Sequence, residues 1–332
     1  MLENKSKNNI IEVKNLVKRF KKVKAVDDIT FSVKEDEIFG FLGPNGAGKT
    51  TTINIICTLL SKTSGEVILN GYDVTRERNK IRTCIGMVFQ DPSLDDRLTA
   101  LENLYFHGLL YNIPRKELKV RSEEVLEMVN LTNRKNSLVM TYSGGMKRRL
   151  EIARGLLHYP KILFLDEPTL GLDPQTRNKI WDYIIKLKKN KKITIFLTSH
   201  YMEETEICDR IAIIDEGKII ALDSPENLKN IIGGDIITIL SEDNIKLKEY
   251  IKDITGVEIH DAKEGKIRFE VKDSSRFIPK FIKNSPVKIL SISARKPTLN
   301  DVFLDLTGRE IREENASAKD TMRMRMRGRM RH

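Results

Sequence analysis

One octapeptide constrains the fold of this chain more than any other feature. Residues 43–50 read GPNGAGKT and fit the pattern G-x-x-x-x-G-K-[ST]. A strand-like apolar segment, EIFGFL, precedes the octapeptide, and a segment of helical length, TTINIICTLL, follows it. Glycines there let backbone N–H groups converge on phosphate oxygens, while Lys49 adds a charge for the β/γ-phosphates and Thr50 a hydroxyl for Mg²⁺. The pattern predicts a phosphate-binding loop between a strand and a helix.

Further apolar runs place this loop in a sheet. KILFL, ITIFLT and RIAII recur along the chain and are separated by polar, helix-like stretches. Short buried strands that alternate with helices predict a largely parallel sheet covered on both faces. Between about residues 91 and 140 the strand signals vanish, and two helical patterns flank Pro114. We therefore expect an α/β domain of the P-loop NTPase class over residues 10–230, with a helical insert at 91–140.

The pattern changes from Asp235 onward. The order strand, helix, strand, strand, helix, strand predicts a small α+β domain of ferredoxin-like arrangement over residues 235–310, with a linker near Gly233 and Gly234. The end of the chain reads TMRMRMRGRMRH, and its period of two would scatter methionine around a helix. We expect residues 311–332 to be a basic, disordered tail. Two interpretations stay open, a solvated tail without a ligand and a tail in contact with anionic lipid.

Polar residues follow several of the predicted strands. KILFLDEP places Asp166 and Glu167 at the end of a strand, where a parallel sheet presents its ligand crevice. A carboxylate at the first position suits Mg²⁺, and a metal-free carboxylate at the second can orient or deprotonate water. Gln90 and His200 also end strands on that side. Each is either a turn residue or a group that hydrogen-bonds the γ-phosphate or a water.

A second glycine motif, YSGGMKRR, occupies residues 142–149. Ser143 and two glycines precede an apolar-periodic run, which predicts a helix with Ser143 as its N-cap. Such a helix end attracts anions. An ordinary capped helix would give the same pattern, so this motif alone leaves both interpretations open.

Charge and cysteine content bound the partners and the compartment. The formal net charge is +11, an excess that suits anionic nucleotides, acidic lipids or no partner in particular. Cys57, Cys84 and Cys208 are scattered without CxxC spacing, which favours free thiols in a reducing compartment. No stretch approaches the roughly 18 apolar residues that a membrane span needs. We expect a cytoplasmic chain whose membrane role runs through a partner.

The ordered set of motifs resembles the ATP-binding cassette (ABC) family over roughly residues 10–225. The set comprises GPNGAGKTT, Gln90, YSGGM, ILFLDEP, GLD at 171–173 and His200. In that family the serine-glycine-glycine signature caps the γ-phosphate of the ATP held by the other subunit. The resemblance implies an ABC ATPase domain, ATP and Mg²⁺ as ligands, and a second copy of this chain as partner.

The resemblance also assigns roles to individual residues. It implies catalysis by Glu167, His200 and Gln90, and a metal site of Thr50, Gln90 and Asp166. It implies nucleotide contacts from Phe20, Gly43, Pro44, Asn45, Gly46, Ala47, Gly48, Lys49, Thr50, Thr51, Ser143, Gly144, Gly145 and Asp173. Phe20 stands where the family usually has a tyrosine that stacks on adenine. Tyr142 and Met146 depart from the common signature LSGGQ.

Two segments indicate the kind of cassette protein. YSGGMKRRLEIA and, at 296–310, KPTLNDVFLDLTGRE are similar to daunorubicin-resistance-type ATPase subunits of multidrug and antibiotic exporters. This similarity implies a Mg²⁺-dependent ATPase that drives export of a drug, antibiotic or lipid-like substrate. A separate ABC-2-type membrane permease would dock on the helical insert, which places the chain peripherally on the cytoplasmic face of the cell membrane.

Two alternatives share the motifs. An importer ATPase is the nearer one, since the hydrolytic motifs do not depend on direction. An ABC ATPase of DNA repair or translation is the other. Repair types carry a long coiled coil between the P-loop and the signature, which correspond to Lys49 and Ser143 here, and translation types carry two cassettes. This chain has neither feature. We therefore expect no nucleic acid partner.

Overall fold

The computed structural model describes residues 9–91 and 93–308, without the side chains of Asn190, Lys191 and Lys263. The predicted tail at 311–332, with its predicted disorder and lipid contact, lies outside the described residues, as do residues 309 and 310 of the predicted small domain.

The described residues form three sheets and a set of helices. In chain order the strands are β1 Asn9–Phe20, β2 Val23–Lys34, β3 Ile38–Leu42, β4 Ser64–Leu69, β5 Tyr72–Asp73, β6 Ile85–Val88, β7 Ile162–Asp166, β8 Thr194–Ser199, β9 Arg210–Asp215, β10 Lys218–Asp223, β11 Asp235–Ser241, β12 His260–Asp261, β13 Ile267–Val271 and β14 Ile289–Arg295. The α-helices are α1 Lys49–Ile56, α2 Arg78–Cys84, α3 Ala100–Leu110, α4 Arg115–Met128, α5 Gly144–Leu156, α6 Pro174–Lys191, α7 Met202–Thr205, α8 Pro225–Asn230, α9 Asn244–Thr255, α10 Ser274–Asn284 and α11 Leu299–Thr307.

The central sheet has the strand order β10-β9-β3-β8-β7-β6. Its inner strands pair in parallel, and β10 pairs antiparallel with β9 at one edge. Every residue of β3, β7 and β8 is buried, as a strand covered on both faces requires. The predicted, largely parallel sheet is confirmed. Its parallel strands end at one edge, so the loops after β3, β6, β7 and β8 meet there.

A second, antiparallel sheet covers one face of the central sheet, which the sequence did not predict. Its order is β2-β1-β4-β5. Phe31 of β2 stacks on Phe39 of β3 with ring centroids 5.5 Å apart, and Phe196 of β8 lies 5.4 Å from Phe39. Strand β1 ends and strand β2 begins within the charged stretch KRFKKVK, and this stretch has no apolar alternation that would predict a strand. The apolar segments IIEV in β1 and ITFSV in β2 are therefore only short parts of these strands.

The helical insert is confirmed between the central strands β6 and β7. Helix α3 begins with a capping box, in which Thr99 and Glu102 satisfy each other's backbone N–H groups. Helix α4 follows Pro114, whose fixed φ suits a helix start. The chain then returns along α5, which packs against β6 and buries apolar side chains between the insert and the sheet.

The C-terminal sheet has the order β12-β13-β11-β14, all antiparallel, with α9 and α10 on one face. This strand order, with two helices on one face, is that of a ferredoxin-like arrangement. The second strand, β12, is only two residues long, because only His260 and Asp261 pair with β13. Helix α11 was not predicted as a helix. Its Val302 and Phe303 pack with Ile236 of β11 in the main hydrophobic core of the ATPase part. Helix α11 also contacts α8, and so connects the small sheet to the ATPase part.

No helix in the described part of the chain is long and apolar enough to cross a membrane.

Candidate nucleotide-binding and hydrolysis site

The loop between β3 and α1 has the backbone that phosphate binding needs. Gly48 has φ +105°, and a Cβ atom there would lie 2.4 Å from the carbonyl oxygen of Ala25. Only glycine fits that position without moving the backbone. The Ala47 N–H donates to the Pro44 carbonyl at 3.2 Å, which closes the turn before the helix. The loop therefore directs its backbone toward the N-terminus of α1.

Lys49 is buried at the start of α1. Its Nζ donates to the carbonyl oxygens of Gly43 at 2.7 Å and Pro44 at 3.1 Å, and lies 3.4 Å from Oε1 of Glu167. Burial lowers the pKa of Lys49, and the nearby carboxylate of Glu167 opposes that shift. The amine is thus held within reach of both the glycine loop and the end of β7.

Asp166 ends β7 beside the start of α1. Its Oδ1 accepts a hydrogen bond of 2.5 Å from the Thr198 hydroxyl and lies 3.4 Å from the Thr50 hydroxyl. Burial raises the pKa of Asp166, whereas the hydrogen bonds from Thr198 and Thr50 act in the opposite direction. Thr50 and Asp166 supply neutral and anionic oxygens on adjacent elements, and oxygen donors are what Mg²⁺ takes.

Glu167 carries backbone strain at the position predicted for the catalytic base. It has φ +46°, a left-handed conformation that side chains disfavour. Its N–H donates to the Thr198 carbonyl at 3.2 Å and hydroxyl at 3.1 Å, and these bonds hold it there. Its Oε2 lies 3.2 Å from Nδ1 of His200. Burial opposes ionisation, but the adjacent His200 imidazole and the charge of Lys49 outweigh it and lower the pKa of Glu167.

A cavity of about 220 Å³ brings several of the predicted residues together, whereas the predicted Gly43, Pro44, Ala47, Asp166 and His200 are not among its lining residues. Its lining is Ala25, Asn45, Gly46, Gly48, Lys49, Thr50, Thr51, Gln90 and Glu167. Gln90 reaches the cavity from the loop after β6, on the same edge as the loops after β3 and β7. Ala25 was not predicted, and its place on β2 explains why, since the antiparallel sheet was not foreseen.

The signature residues lie elsewhere. Ser143 is the N-cap of α5, and its hydroxyl accepts from the Met146 N–H at 3.3 Å, which confirms the predicted helix start. A Cβ atom on Gly145 would lie 2.3 Å from Cγ2 of Thr176, so the helix end approaches α6 closely. Asp173 caps α6 by accepting from the Thr176 N–H at 3.0 Å. Neither Ser143, Gly144, Gly145 nor Asp173 is among the described residues that line the cavity.

Phe20 also lies outside the cavity lining. It ends β1 with 44 % of its surface exposed. The Lys18 amine lies 4.8 Å from the ring centroid and donates to the Ser61 carbonyl at 2.6 Å.

Sequence reasoning missed the buried polar side chains that support the site. Thr198 binds both Asp166 and Glu167, as described above. Glu204 of α7 accepts from the Ser199 hydroxyl at 2.7 Å and from the Thr169 hydroxyl, and thereby links the segment before His200 to the segment after Glu167. Their only signal is a polar residue next to an apolar run, and such residues are common at strand ends.

A buried lysine after a glycine loop, facing carboxylates at the end of a neighbouring parallel strand, is the arrangement with which P-loop ATPases bind and cleave nucleotides. Comparison with known proteins narrows this class. The profile of the ABC transporter family matches residues 26–170. The profile described as the C-terminal domain of DrrA1-3-like ATP-binding proteins matches residues 224–307.

Two curated relatives cover nearly the whole chain. The linearmycin resistance ATP-binding protein LnrL of Bacillus subtilis is 39 % identical over 92 % of this chain and 100 % of its own length. The daunorubicin resistance ATP-binding protein DrrA2 of Streptomyces coeruleorubidus is 35 % identical over 93 % of this chain and 98 % of its own length. The chain therefore belongs to the ABC transporter family of ATP-binding proteins, and its ATPase activity is coupled to transport.

Solved structures support the same fold. CbiO1 from Clostridium perfringens, part of an ABC transporter complex, has a TM-score of 0.63 and 28 % identity, covering 68 % of this chain and 94 % of that one. The cassette MJ0796, in a dimeric post-hydrolysis state bound to ADP and Pi, has a TM-score of 0.59 and 31 % identity, covering 64 % and 98 %.

Proposed function

We propose that this chain is the ATP-hydrolysing subunit of an exporter that moves a drug, antibiotic or lipid-like substrate through a separately encoded ABC-2-type permease. The similarity to resistance proteins supports this, because it extends through the C-terminal part as well as the ATPase part. The permease would dock on the helical insert, where Phe106, Leu109 and Leu110 of α3 expose apolar surface. The chain would then sit on the cytoplasmic face of the membrane.

We infer further that two copies share each ATP. The observation that carries this inference is the separation of the two glycine motifs. The cavity at the loop of residues 43–50 has no lining from Ser143, Gly144 or Gly145, yet the N-terminus of α5 offers N–H groups to a phosphate. Dimeric cassette structures among the similar proteins support a dimer of this chain. In such a dimer, the signature of one chain would face the nucleotide on the other chain's loop.

The chemistry assigned to the described residues is proton transfer and charge neutralisation. Mg²⁺ held by Thr50, Asp166 and Gln90 would neutralise phosphate charge. Lys49 binds the β/γ-phosphates, and Glu167, ionised and held by its contact with His200, accepts the proton of the attacking water. Phe20 stacks on the base.

A mixed dimer tests the shared site. Lys49→Ala and Ser143→Arg chains, each also carrying Glu167→Gln to stop hydrolysis, are purified together with two different tags. If the signature serves the partner's nucleotide, the mixed dimer has one intact site and one site with both defects. We expect roughly one occluded ATP per mixed dimer and almost none in either homodimer. No occlusion in verified mixed dimers would contradict the shared site.

Direction of transport needs the permease. The two proteins are co-expressed, and inside-out membrane vesicles are supplied with ATP and a candidate lipid-like antibiotic outside. An exporter accumulates the compound in the vesicle lumen, and vesicles with the Glu167→Gln chain serve as control. ATP-dependent accumulation only in right-side-out vesicles that enclose ATP in their lumen would instead identify an importer.

A further inference from the structure

A buried arginine of α5 contacts the segment that carries the proposed catalytic base. Arg148 is 7 % exposed. Its Nε donates to the Pro168 carbonyl at 2.6 Å, and its Nη2 donates to the carbonyls of Asp166 and Glu167, both at 3.1 Å. One guanidinium therefore binds three consecutive carbonyl oxygens that start at the last residue of β7, and the central one belongs to Glu167 itself.

The same side chain reaches a second loop. Nη1 of Arg148 donates to the carbonyl of Phe89, the residue before Gln90, at 2.5 Å. Nη1 also lies 3.0 Å from Oε2 of Glu151, which is 1 % exposed and one turn further along α5. The other oxygen of Glu151 accepts from the Ser93 N–H at 2.8 Å. Arg148 and Glu151 together thus hold the loop that carries Gln90 on both sides of that residue.

Fold stability alone is a weak reason for such a pair. A buried ion pair often contributes no more stability than apolar side chains of the same volume, because both charges lose their hydration. The N–H donors of an arginine instead fix the orientation of the groups that they bind, since a planar guanidinium can bind several carbonyls only in one geometry. Every oxygen that it binds here, apart from Glu151, lies on the backbone beside Gln90 or Glu167.

We propose that Arg148, neutralised by Glu151, is a positioning residue that fixes the Glu167 peptide and the Gln90 loop to the signature helix. Helix α5 begins at Gly144, right after Ser143. When Ser143 engages the partner's nucleotide, a shift of α5 is passed through Arg148 to the base on its own chain. This inference rests on the proposed function, in which Glu167 is the base and Ser143 serves the partner.

The test compares turnover with binding in the full-length chain. Arg148→Gln removes the charge and most donors, and Arg148→Lys keeps the charge but has one nitrogen instead of three. We expect kcat for ATP to fall about 10- to 100-fold in Arg148→Gln, as for other residues that orient a site, and less in Arg148→Lys. The Kd for ATP measured without Mg²⁺ should change less than about threefold, because Arg148 contacts no atom of the phosphate loop.

Arg149 provides the matched control. It is the adjacent residue on α5, but its Nη1 donates to the Val129 carbonyl at 3.0 Å, in the helical insert. Arg149→Gln should lower stability without lowering kcat per folded chain. Folding is followed by the fluorescence of Trp181, the single tryptophan. If Arg148→Gln does not fold, Arg148→Lys and Glu151→Gln carry the comparison. Equal kcat in the Arg148 and Arg149 variants would overturn the proposal.

A double mutant separates positioning from general damage. If Arg148 acts through Glu167, Arg148→Gln should lower the residual single-turnover rate of Glu167→Gln by less than about threefold, since the group it positions is already lost. The full 10- to 100-fold loss repeated in that background would show a merely structural role. Unchanged turnover in Glu167→Gln alone would instead refute the proposed base, which keeps the two failures apart.

Discussion

Replacing Thr198 by valine should remove one hydrogen bond to the Asp166 carboxylate and one from the Glu167 backbone N–H, while keeping side-chain volume. The fully buried hydroxyl donates to Asp166 at 2.5 Å and accepts from the Glu167 N–H at 3.1 Å. A hydrogen bond to a charged group contributes about 1.5 to 3 kcal/mol, and the neutral one about 1 kcal/mol. The Glu167 N–H keeps the Thr198 carbonyl at 3.2 Å, so the second loss is partial. We expect the free energy of unfolding to fall by roughly 2 to 3 kcal/mol.

The loss should depend on pH with a defined sign. Burial already raises the pKa of Asp166 above its ordinary value, so ionising this carboxyl costs stability as pH rises through the folded pKa. Removing the Thr198 donor raises the folded pKa further. The deficit of Thr198→Val is therefore largest at neutral pH and shrinks as pH falls below the folded pKa of Asp166 in the variant.

Urea unfolding followed by Trp181 fluorescence measures this deficit, and the rate of phosphate release measures kcat. We expect kcat to fall about 10- to 100-fold, because the strained Glu167 peptide loses a restraint. Thr205→Val is the matched control. Thr205 is equally buried, but its hydroxyl donates only to the Met202 carbonyl of its own helix, at 2.9 Å. If Thr198→Val matched Thr205→Val in both stability and kcat, the reasoning would be refuted.

Three further changes test other parts of the structure. Glu167→Gln should keep ATP binding and lose about 10²- to 10⁴-fold in turnover, measured by phosphate release, and near wild-type turnover would exclude it as base. Gly48→Ala should abolish nucleotide binding in a fluorescent-nucleotide titration, because the new Cβ would lie 2.4 Å from the Ala25 carbonyl oxygen, and retained affinity would contradict that contact. Asp301→Asn should lower the stability of the C-terminal sheet by roughly 2 to 3 kcal/mol, since Asp301 pairs with Arg295 and caps α11. Burial works against ionisation of Asp301, but Arg295 and Thr298 lower its pKa overall. The stability loss of Asp301→Asn should therefore be present at neutral pH and vanish in acid, as pH falls through the folded pKa. Hydrogen exchange of the β11 amides measures this loss.

The parts of the fold that the sequence predicts are those with a local signal. Strands β3, β7 and β8 of the central sheet are short, continuous apolar runs. Each is followed by a loop with a recognisable motif or polar residue. Helix α11 shows the limit. Its segment KPTLNDVFLDLTG has a capping box and an apolar stripe, but the surface that Val302 and Phe303 cover comes from α8 and Ile236, far away in the sequence. Nothing local indicates which core such a helix joins.

The same limit explains why the motif residues could be predicted and Arg148 could not. Lys49, Asp166 and Glu167 are set by chemistry that needs those residue types at that spacing. Arg148 and Glu151 are oppositely charged residues three apart on a helix, and such pairs are usually solvated and contribute little. Helix α5 is buried on nearly every side between the insert and the sheet, so here the pair faces two loops instead of water. The role of a charged pair such as Arg148 and Glu151 therefore depends more on which elements cover the helix than on the spacing of the two residues in the sequence.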